Sequence, residues 1–336
     1  MDNSVLIIGR RELASLMDLD AYLASADAAF RAHAEGRATV PMPLHIAVEG
    51  GGFHAKGAAL VIPDAAAAAT IRDPHAYAAV KVNSNFPGNP ALGMPTIQGA
   101  VLLFHAGDGR LLAILDSIEI TSRRTAAASA LATRHLSRED SSTITILGCG
   151  EQGRAQLTAI ARVRPIERAF AWDADPARAV TFAAEMSHHL RLEVKPAAHL
   201  RDAAIQSDIV VTCTSSKSAF LSRDDIAPGT FIAAIGADSP HKSEIRPDLL
   251  SSSKVVTDLT SQAQVMGDLH HAMEAGAMSA ADVYAELGEI VAGRKPGRTT
   301  ATEVTLFDST GVAIQDVAAA AWAYERAVAA RDIANA

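Results

Sequence analysis

The sequence has few cysteines, few aromatic residues and no long apolar segment. Of its 336 residues, two are cysteines and 4% are aromatic. Cys149 and Cys213 are too few for a disulfide framework and are interpreted as small residues in strand-to-helix turns. No apolar run reaches the roughly 18 residues that a membrane span requires. We therefore expect a cytoplasmic protein with no transmembrane segment.

Positive charge is also scarce. The chain has 30 lysines and arginines against 38 aspartates and glutamates, a formal net charge of −8. This excess of negative charge argues against a nucleic-acid partner, because nucleic acids bind to basic surfaces. The length suffices for two domains with a core each, and 49% hydrophobic residues is ordinary for a globular chain.

Residues 143–153 (TITILGCGEQG) contain the most informative pattern. An apolar, β-branched run leads into Gly148, Gly150 and Gly153, and a helical pattern follows. In this context the first glycine permits a tight turn, the second lets a pyrophosphate approach the backbone, and the third allows the helix to pack on the strand. The start of the helix would offer free N–H groups to phosphates. The segment predicts a dinucleotide site.

Asp173 ends the next apolar run, twenty residues after Gly153. An acid there accepts hydrogen bonds from the 2′-hydroxyl of an adenosine ribose. No arginine follows Asp173 directly, and Asp175 adds a second carboxylate that would repel a 2′-phosphate. We therefore predict NAD(H) rather than NADP(H) as the cofactor.

Alternating strand and helix patterns predict an α/β fold: a doubly wound Rossmann domain plus an α+β domain. Helical spacing covers residues 11–36, where Asp18 or Asp20 caps a second helix, and residues 50–52 form a hairpin turn. Residues 62–75 are predicted as a loop, and residues 117–136 as one long helix. Further strands are predicted at 77–83, 96–104, 111–115, 208–214, 231–236, 254–258 and 303–307, before a terminal helix at 313–330.

Lys81, Arg123 and Arg124 precede the glycine-rich segment and are candidate functional cations. Lys81 lies between two valines of a predicted strand, either on a solvent face or as a buried functional cation. Arg123 and Arg124 lie on the helix 117–136, where a charged helix face is the plain interpretation.

Asp238 follows a predicted strand at its carboxyl end, where doubly wound sheets bind ligands. Helix capping is the alternative for this residue. Lys242 and Glu244, a few residues later, are interpreted as a surface ion pair.

No metal site is predicted. Adjacent helical residues such as His270 and His271 are expected to point to different faces. The histidines considered and judged structural or superficial are His105, His188, His189, His270 and His271.

Several blocks of the chain resemble the ornithine cyclodeaminase/μ-crystallin family over about residues 10–330. The family contains cyclodeaminases, alanine dehydrogenase, ketimine, pyrroline-carboxylate and iminosuccinate reductases, and a nucleotide-binding lens crystallin. The blocks that carry the resemblance are residues 81–125 with Asn89-Pro90, Pro95-Thr96 and Arg124-Thr125-Ala126-Ala127, residues 148–152, residues 236–244, and residues 307–311.

The resemblance implies a homodimer with two domains. Residues 1–125, completed by the C-terminal helix 311–336, would bind the substrate and form the dimer. Residues 126–310 would bind NAD(H). No nucleic acid or membrane partner is implied.

The resemblance also implies roles for individual residues. Lys81 and Arg124 would hold the α-carboxylate of the substrate, with Lys81 also a catalytic candidate. Asp238 would be the acid/base at the reacting nitrogen. Cofactor contacts are implied for Thr96 (at the nicotinamide end), Arg124, Gly148, Gly150, Glu151, Gln152, Gly153, Asp173, Thr212, Thr214, Gly236 and Ser309.

One strand departs from the cyclodeaminases, which carry an upstream arginine and a glutamate placed to meet a distal amine. The corresponding residues here are His54 and Lys56, and His45 is the nearest candidate for the arginine. His54 and Lys56 point to the same side of a strand. If that side lines the pocket, it favours a second carboxylate on the substrate; the alternative is that it faces solvent or a dimer partner.

The leading interpretation is NADH-dependent reduction of a 2-imino acid to an L-amino acid. Iminosuccinate, giving L-aspartate, and a cyclic ketimine such as Δ1-pyrroline-2-carboxylate are the candidate substrates. Ornithine cyclodeamination to proline and ammonia is the second enzymatic reading. A crystallin-like nucleotide-binding protein without turnover is the reading from another class.

Overall fold

The computed structural model describes residues 5–62 and 75–335. The predicted loop at 62–75 therefore lies almost entirely outside the described residues. By contacts the chain divides into two compact units, Met1–Thr125 with Val312–Ala336 (unit 1) and Ala126–Gly311 (unit 2).

In the first part of the chain, two helices follow the first strand, and a run of strands and a long helix come after them. Asp18 caps the second helix by accepting a hydrogen bond from the Ala21 N–H at 2.8 Å, which confirms one of the two predicted caps. The elements are β1 (Leu6–Ile8), α1 (Arg10–Leu16), α2 (Leu19–Ala34), β2 (Ala38–Thr39), β3 (Leu44–Val48), β4 (Gly51–Val61), β5 (Ala76–Asn85), β6 (Ile97–His105), β7 (Leu111–Asp116) and α3 (Ser117–Leu136).

The rest of the chain alternates strands and helices. Its elements are β8 (Thr143–Leu147), α4 (Glu151–Ala161), β9 (Arg168–Trp172), α5 (Pro176–Leu190), β10 (Glu193–Pro196), α6 (Leu200–Ala204), β11 (Ile209–Thr212), β12 (Phe231–Ala234), α7 (Pro247–Ser251), β13 (Lys254–Thr257), α8 (Thr260–Ala263), α9 (Asp268–Glu274), β14 (Ala285–Glu286), α10 (Leu287–Val291), β15 (Thr305–Asp308) and α11 (Ala313–Asn335). The predicted strands and the long helix at 117–136 are confirmed, and the strand ends differ from the predicted ones by at most two residues. The terminal helix extends to Asn335.

Unit 1 is built on one mixed sheet of order β1-β7-β6-β5-β4-β2, with β3 paired to β4. β1 runs parallel to β7, and the other pairs are antiparallel. Helix α11 packs on β4, β5 and β6. The first ten residues of the segment that begins at Val312 are all buried, so α11 forms the centre of the core of this unit.

Unit 2 is a parallel sheet of order β10-β9-β8-β11-β12-β15-β13-β14. The order reverses between β8 and β11, and a doubly wound sheet binds ligands outside the strand ends at such a reversal. Strands β11, β12 and β15 are buried along their whole length. The predicted Rossmann architecture is thereby confirmed. None of the helices in the described part of the chain is both long and apolar enough to cross a membrane.

Candidate active site

The glycine-rich turn after β8 adopts the geometry that its sequence predicts. Gly148 has a φ of +112°, a left-handed conformation that side chains rarely tolerate. A Cβ on Gly153 would lie 2.3 Å from the carbonyl oxygen of Gly148, so only glycine lets α4 pack this close to the strand end. Gly150 is the N-cap of α4, and no side chain caps the helix there. The first N–H groups of α4 therefore remain available to an anion.

Asp173 lies at the end of β9, next to this turn. Its carboxylate accepts hydrogen bonds from the N–H groups of Cys149 (2.9 Å) and Asp175 (3.0 Å). Arg178, on the first turn of α5, brings its Nε within 3.9 Å of Asp173, and its Nη2 would be 3.5 Å from a Cβ on Gly150. The sequence analysis considered only the residues directly after Asp173. It therefore missed Arg178, which helix α5 brings back to this carboxylate.

A cavity of about 350 Å³ opens beside the glycine-rich turn. Two arginines and the start of α4 border it, so it suits an anionic ligand. Its lining residues are Cys149, Gly150, Glu151, Arg154, Ala177, Arg178 and Thr181. Gln152, the remaining predicted residue of this turn, is half-buried on α4, where the Nε2 of Gln156 donates to its side chain at 3.5 Å.

Glu244 is fully buried and hydrogen-bonded to the ends of two central strands, so its interpretation as part of a surface ion pair is wrong. It accepts hydrogen bonds from the Thr214 N–H and hydroxyl, both at 2.6 Å, and from the Gly236 N–H at 2.8 Å. Burial and the neighbouring charge of Asp268 raise the pKa of Glu244 to about 7, although the hydrogen bonds from Thr214 act in the opposite direction. No local sequence pattern predicts that the loop carrying Glu244 returns to the ends of these strands.

The other predicted residues at these strand ends differ in exposure. Thr212 is buried at the end of β11, whereas Thr214 is half-buried. Ser309 is buried after β15, where its hydroxyl donates to Asp258 at 3.4 Å. The buried side chains of Thr212 and Ser309 therefore help to form the strand ends. More exposed residues form the outer part of this edge.

Asp238 is an exposed acid at this edge, three residues after the buried Ile235. Its side chain is 54% exposed, and the Nζ of Lys242 lies 2.7 Å from its Oδ1. Lys242 thus pairs with Asp238 rather than with Glu244. A carboxyl group in this position can reach a ligand at the strand ends and exchange a proton with it.

In unit 1, Lys81 and Arg124 meet at one buried carboxylate, that of Asp316 on α11. Lys81 is 4% exposed, and its Nζ lies 2.9 Å from Oδ1 and 2.8 Å from Oδ2 of Asp316. The Nε of Arg124 donates to Oδ1 at 3.0 Å, and its Nη1 donates to the side-chain oxygen of Gln315. Of the two alternatives for Lys81, the structure selects the buried one. Arg123, by contrast, pairs with Glu119 on the helix surface.

Two buried cations, Lys81 and Arg124, share the carboxylate of Asp316, and the pKa values of Lys81 and Asp316 reflect this arrangement. Burial lowers the pKa of Lys81 to about 7; Arg124 and Lys56 act in the same direction, and Asp316 opposes them. Burial alone would raise the pKa of Asp316, but Arg124 and Lys81 hold it below its ordinary value. The cluster therefore favours an additional negative charge.

Lys56 and His54 lie on the same face of the sheet as Lys81. In the antiparallel pairing of β4 and β5, Lys56 is opposite Lys81 and His54 is opposite Asn83, and directly opposed residues share a face. His45 pairs with His54 across β3 and β4, with ring centroids 4.4 Å apart. The predicted basic side of β4 is thus continuous with the buried cations.

Thr96, which the resemblance assigns to the nicotinamide end, lies just before β6 and is half-buried. Its carbonyl oxygen accepts a hydrogen bond from the Phe86 N–H at 2.8 Å.

Asp316 and Gln315 are functional candidates that the sequence reasoning missed. The signal was present as two adjacent polar residues in the otherwise apolar start of α11. A buried helix with one carboxylate implies a buried cation as its partner.

His270 and His271 do not point apart, contrary to expectation. Their ring centroids are 5.1 Å apart, and both rings approach Glu274 on the same helix.

Three solved structures resemble the whole chain. An archaeal alanine dehydrogenase, described as a dimer with bound NAD, superposes with a TM-score of 0.89 at 34% identity over 97% of each chain. The Δ1-pyrroline-2-carboxylate reductase of Thermococcus litoralis, in complex with NADH and L-proline, gives 0.89 at 34% identity over 97% of this chain and 98% of that one. The iminosuccinate reductase of Paracoccus denitrificans, in complex with NAD⁺, gives 0.85 at 29% identity over 97% of each.

The sequence pattern of the ornithine cyclodeaminase/mu-crystallin family matches residues 4–331. Together with the solved relatives, which are oxidoreductases of imino and amino acids, this match confirms the predicted resemblance. The chain belongs to the ornithine cyclodeaminase/mu-crystallin family.

Proposed function

We propose that this protein is an NAD(H)-dependent reductase that converts a 2-imino acid into an L-amino acid. The observation that carries the proposal is the buried pair Lys81 and Arg124, which share the carboxylate of Asp316, with Lys56 opposite Lys81 on the same sheet face. Such a group attracts and orients a carboxylate-bearing substrate.

The residues of unit 2 fit a dinucleotide. The uncapped start of α4 and the open side of Gly150 leave room for a pyrophosphate, and Asp173 stands where an adenosine ribose is bound in folds of this kind. When bound, the reduced nicotinamide supplies the hydride that an imine carbon accepts. Asp173 supports NAD(H), and Arg178 beside it makes NADP(H) the cofactor to test against.

We assign the proton to Asp238. Reduction of an imine adds a hydride to carbon and a proton to nitrogen, and an exposed carboxyl group at the strand ends can supply or remove that proton. Asp238→Asn should lower kcat by roughly 10²–10⁴-fold. NADH affinity, measured by fluorescence, should stay within about twofold of the wild type, because Asp238 is not among the residues assigned to the cofactor. A nucleotide-binding protein without turnover would lose no function with this substitution.

The basic face of β4 supports a substrate with a second carboxylate, and iminosuccinate fits this chemistry. The resemblance to the cyclodeaminases puts Lys56 and His54 on the strand that carries a glutamate in those enzymes, and this exchange of an acid for cations argues against ornithine. A cyclic ketimine is the second candidate, favoured by the higher TM-score and identity of the T. litoralis enzyme relative to the iminosuccinate reductase.

A homodimer is supported by the other face of the unit 1 sheet. Val80 and Val82, which flank Lys81 on β5, point away from the cations and are 41% and 39% exposed. An apolar sheet face of this kind marks a protein interface. Large apolar side chains exposed on this face are Leu44, Ile46, Val48, Phe53, Val80 and Val82.

The test is NADH oxidation with iminosuccinate, formed in place from oxaloacetate and ammonia, beside Δ1-pyrroline-2-carboxylate. Faster turnover of iminosuccinate is expected. Preference for the cyclic imine would contradict the proposed second carboxylate on the substrate. Formation of proline from ornithine without a net change in NADH would indicate cyclodeamination instead of imine reduction. Inactivity with every imino acid would refute imine reduction.

A further inference from the structure

Among the residues that the structure describes, one group of side chains has the composition and spacing of a metal site, and it lies on α9. His270, His271 and Glu274 offer one ligand atom each, and these three atoms lie within 4.8 Å of one another. The group is independent of the residues assigned above to substrate and cofactor.

The hydrogen bonds of the two rings fix which nitrogen atoms are free. The Nδ1 of His270 lies 3.2 Å from the Gln264 carbonyl oxygen, and the Nε2 of His271 lies 2.9 Å from that of Lys242. A carbonyl oxygen only accepts hydrogen bonds, so the ring nitrogen facing it carries the hydrogen. In the neutral rings, Nε2 of His270 and Nδ1 of His271 therefore present lone pairs.

Both lone pairs face the same carboxylate. Nε2 of His270 is 3.5 Å from Oε1 of Glu274, and Nδ1 of His271 is 3.6 Å from Oε2. These separations exceed those of hydrogen bonds. In a tetrahedral zinc site with bonds of about 2.0–2.1 Å, two ligand atoms lie roughly 3.3 Å apart. The two N–O separations are thus close to the spacing of ligands around an ion, and all three ligand atoms lie within 4.8 Å of one another.

The remaining features agree with a divalent cation. Metal-binding histidines normally donate their second N–H to a carbonyl or carboxylate, as both rings do here. Two nitrogens and one carboxylate suit Zn²⁺ rather than Ca²⁺ or Mg²⁺. The side chains of His270 and His271 are about one quarter exposed, which leaves water access for a fourth ligand.

We propose that His270, His271 and Glu274 bind a zinc ion that braces the segment carrying Asp238. The brace follows from two contacts of α9. His271 donates to the carbonyl of Lys242, and Asp268 accepts hydrogen bonds from the N–H groups of Glu244 (2.8 Å) and Ile245 (3.0 Å). Fixing the ring of His271 on a metal holds the segment 238–245 against α9.

The first measurement is calorimetric titration of the full-length protein, freed of any histidine tag, with ZnCl₂ at pH 8. One equivalent is expected to bind. His271→Ala and Glu274→Gln should weaken binding by at least 10–100-fold, the loss typical of removing even an outer partner of a metal ligand. Glu274 is exposed, so Glu274→Gln leaves folding intact and separates ligand loss from misfolding.

The matched control is His188→Ala with His189→Ala. These adjacent histidines lie in the last turn of α5 and are exposed. They should leave zinc binding unchanged. Equal binding by the wild type and His271→Ala, or loss of binding in the α5 variant, would overturn the site.

Hydrogen exchange tests the brace. Zinc should slow amide exchange in residues 238–245 of the wild type and not of Glu274→Gln. Unchanged exchange at saturating zinc would overturn the bracing role.

Discussion

Each unit contains a buried cluster of ionisable groups, and the two clusters are built in different ways. In unit 1, Asp316 is balanced by Lys81 and Arg124. In unit 2, carboxylates alone are buried and are held by N–H and hydroxyl donors. Burial raises the pKa of Glu244 to about 7 and that of Asp268 to about 6, and it raises that of Asp308 as well.

The difference indicates different tasks. The unit 2 carboxylates join neighbouring segments. Asp268, at the start of α9, holds residues 243–245, and Asp308, at the end of β15, accepts the Leu269 N–H at 2.9 Å. These bonds are internal and shape the edge that we propose binds the cofactor. The unit 1 cluster has excess positive charge instead, which an incoming carboxylate can neutralise. The unit 2 cluster stabilises the segments at the strand ends, whereas the unit 1 cluster has positive charge that can bind an anionic ligand.

The largest effect should come from removing Asp316, the carboxylate that Lys81 and Arg124 share in the buried cluster of unit 1. Asp316→Ala leaves Lys81 and Arg124 buried without a counter-charge, and breaking a buried ion pair costs about 3–5 kcal/mol. Urea denaturation should show this loss. Asp27→Ala, which breaks the exposed Arg31–Asp27 pair in the same unit, should cost about 0.5 kcal/mol or less. Equal losses would mean that the buried cations are not held by Asp316.

The carboxylates of the unit 2 cluster should make the free energy of unfolding depend on pH. Because the pKa of Glu244 is about 7 in the folded state against an ordinary value of 4.5, the folded state keeps a proton that the unfolded state has released. Its contribution to the free energy of unfolding is therefore full below pH 4.5 and is lost as pH rises through 7. Glu244→Gln keeps an acceptor for the Thr214 and Gly236 N–H groups without the charge.

The expected result for Glu244→Gln is a flatter stability profile between pH 5 and 8, with a gain of a few kcal/mol at most at pH 8. Denaturation midpoints across this range measure it. A variant profile parallel to that of the wild type would assign the pH dependence to Asp268 and Asp308 instead.

The unit 1 cluster should respond to pH through substrate binding. Lys81 attracts a carboxylate only when protonated, and its pKa is about 7. In the wild type kcat/KM should fall by roughly tenfold per pH unit above 7. Lys81→Arg keeps the charge at every pH, so its profile should stay level to about pH 9, although the different shape of the guanidinium lowers the absolute value. An unchanged alkaline limb would assign it to another group.

The smallest expected effect concerns the second carboxylate. Lys56→Gln should raise the KM for iminosuccinate by roughly tenfold, about 1.4 kcal/mol, as expected for one hydrogen bond to a charged group. The KM for the monocarboxylate Δ1-pyrroline-2-carboxylate should change little. Lys195→Gln, on an exposed lysine, is the charge-matched control. An equal rise for both substrates would mean that Lys56 acts on Lys81 rather than on the second carboxylate.

The sequence determined the local structure, because strand, turn and helix patterns depend on neighbouring residues. The turn after β8 is the clearest case: the positive φ of Gly148 and the close packing at Gly153 are requirements that only glycine meets. The sequence also predicted both ends of α3, and it narrowed the cap of α2 to Asp18 or Asp20, of which the structure shows Asp18. Several blocks of sequence, from residue 81 to residue 311, together also sufficed to identify the family.

Tertiary structure alone decided which charges are buried and which meet. Lys81 and Asp316 are 235 residues apart in the chain, and no local pattern pairs them. Arg178 reaches Asp173 only because α5 folds back over the glycine-rich turn, and Glu244 is buried only because its loop returns to the ends of β11 and β12. The physical reason is that periodicity fixes which side of an element is apolar, whereas the ionisation and partners of a polar side chain depend on what the rest of the fold brings against it.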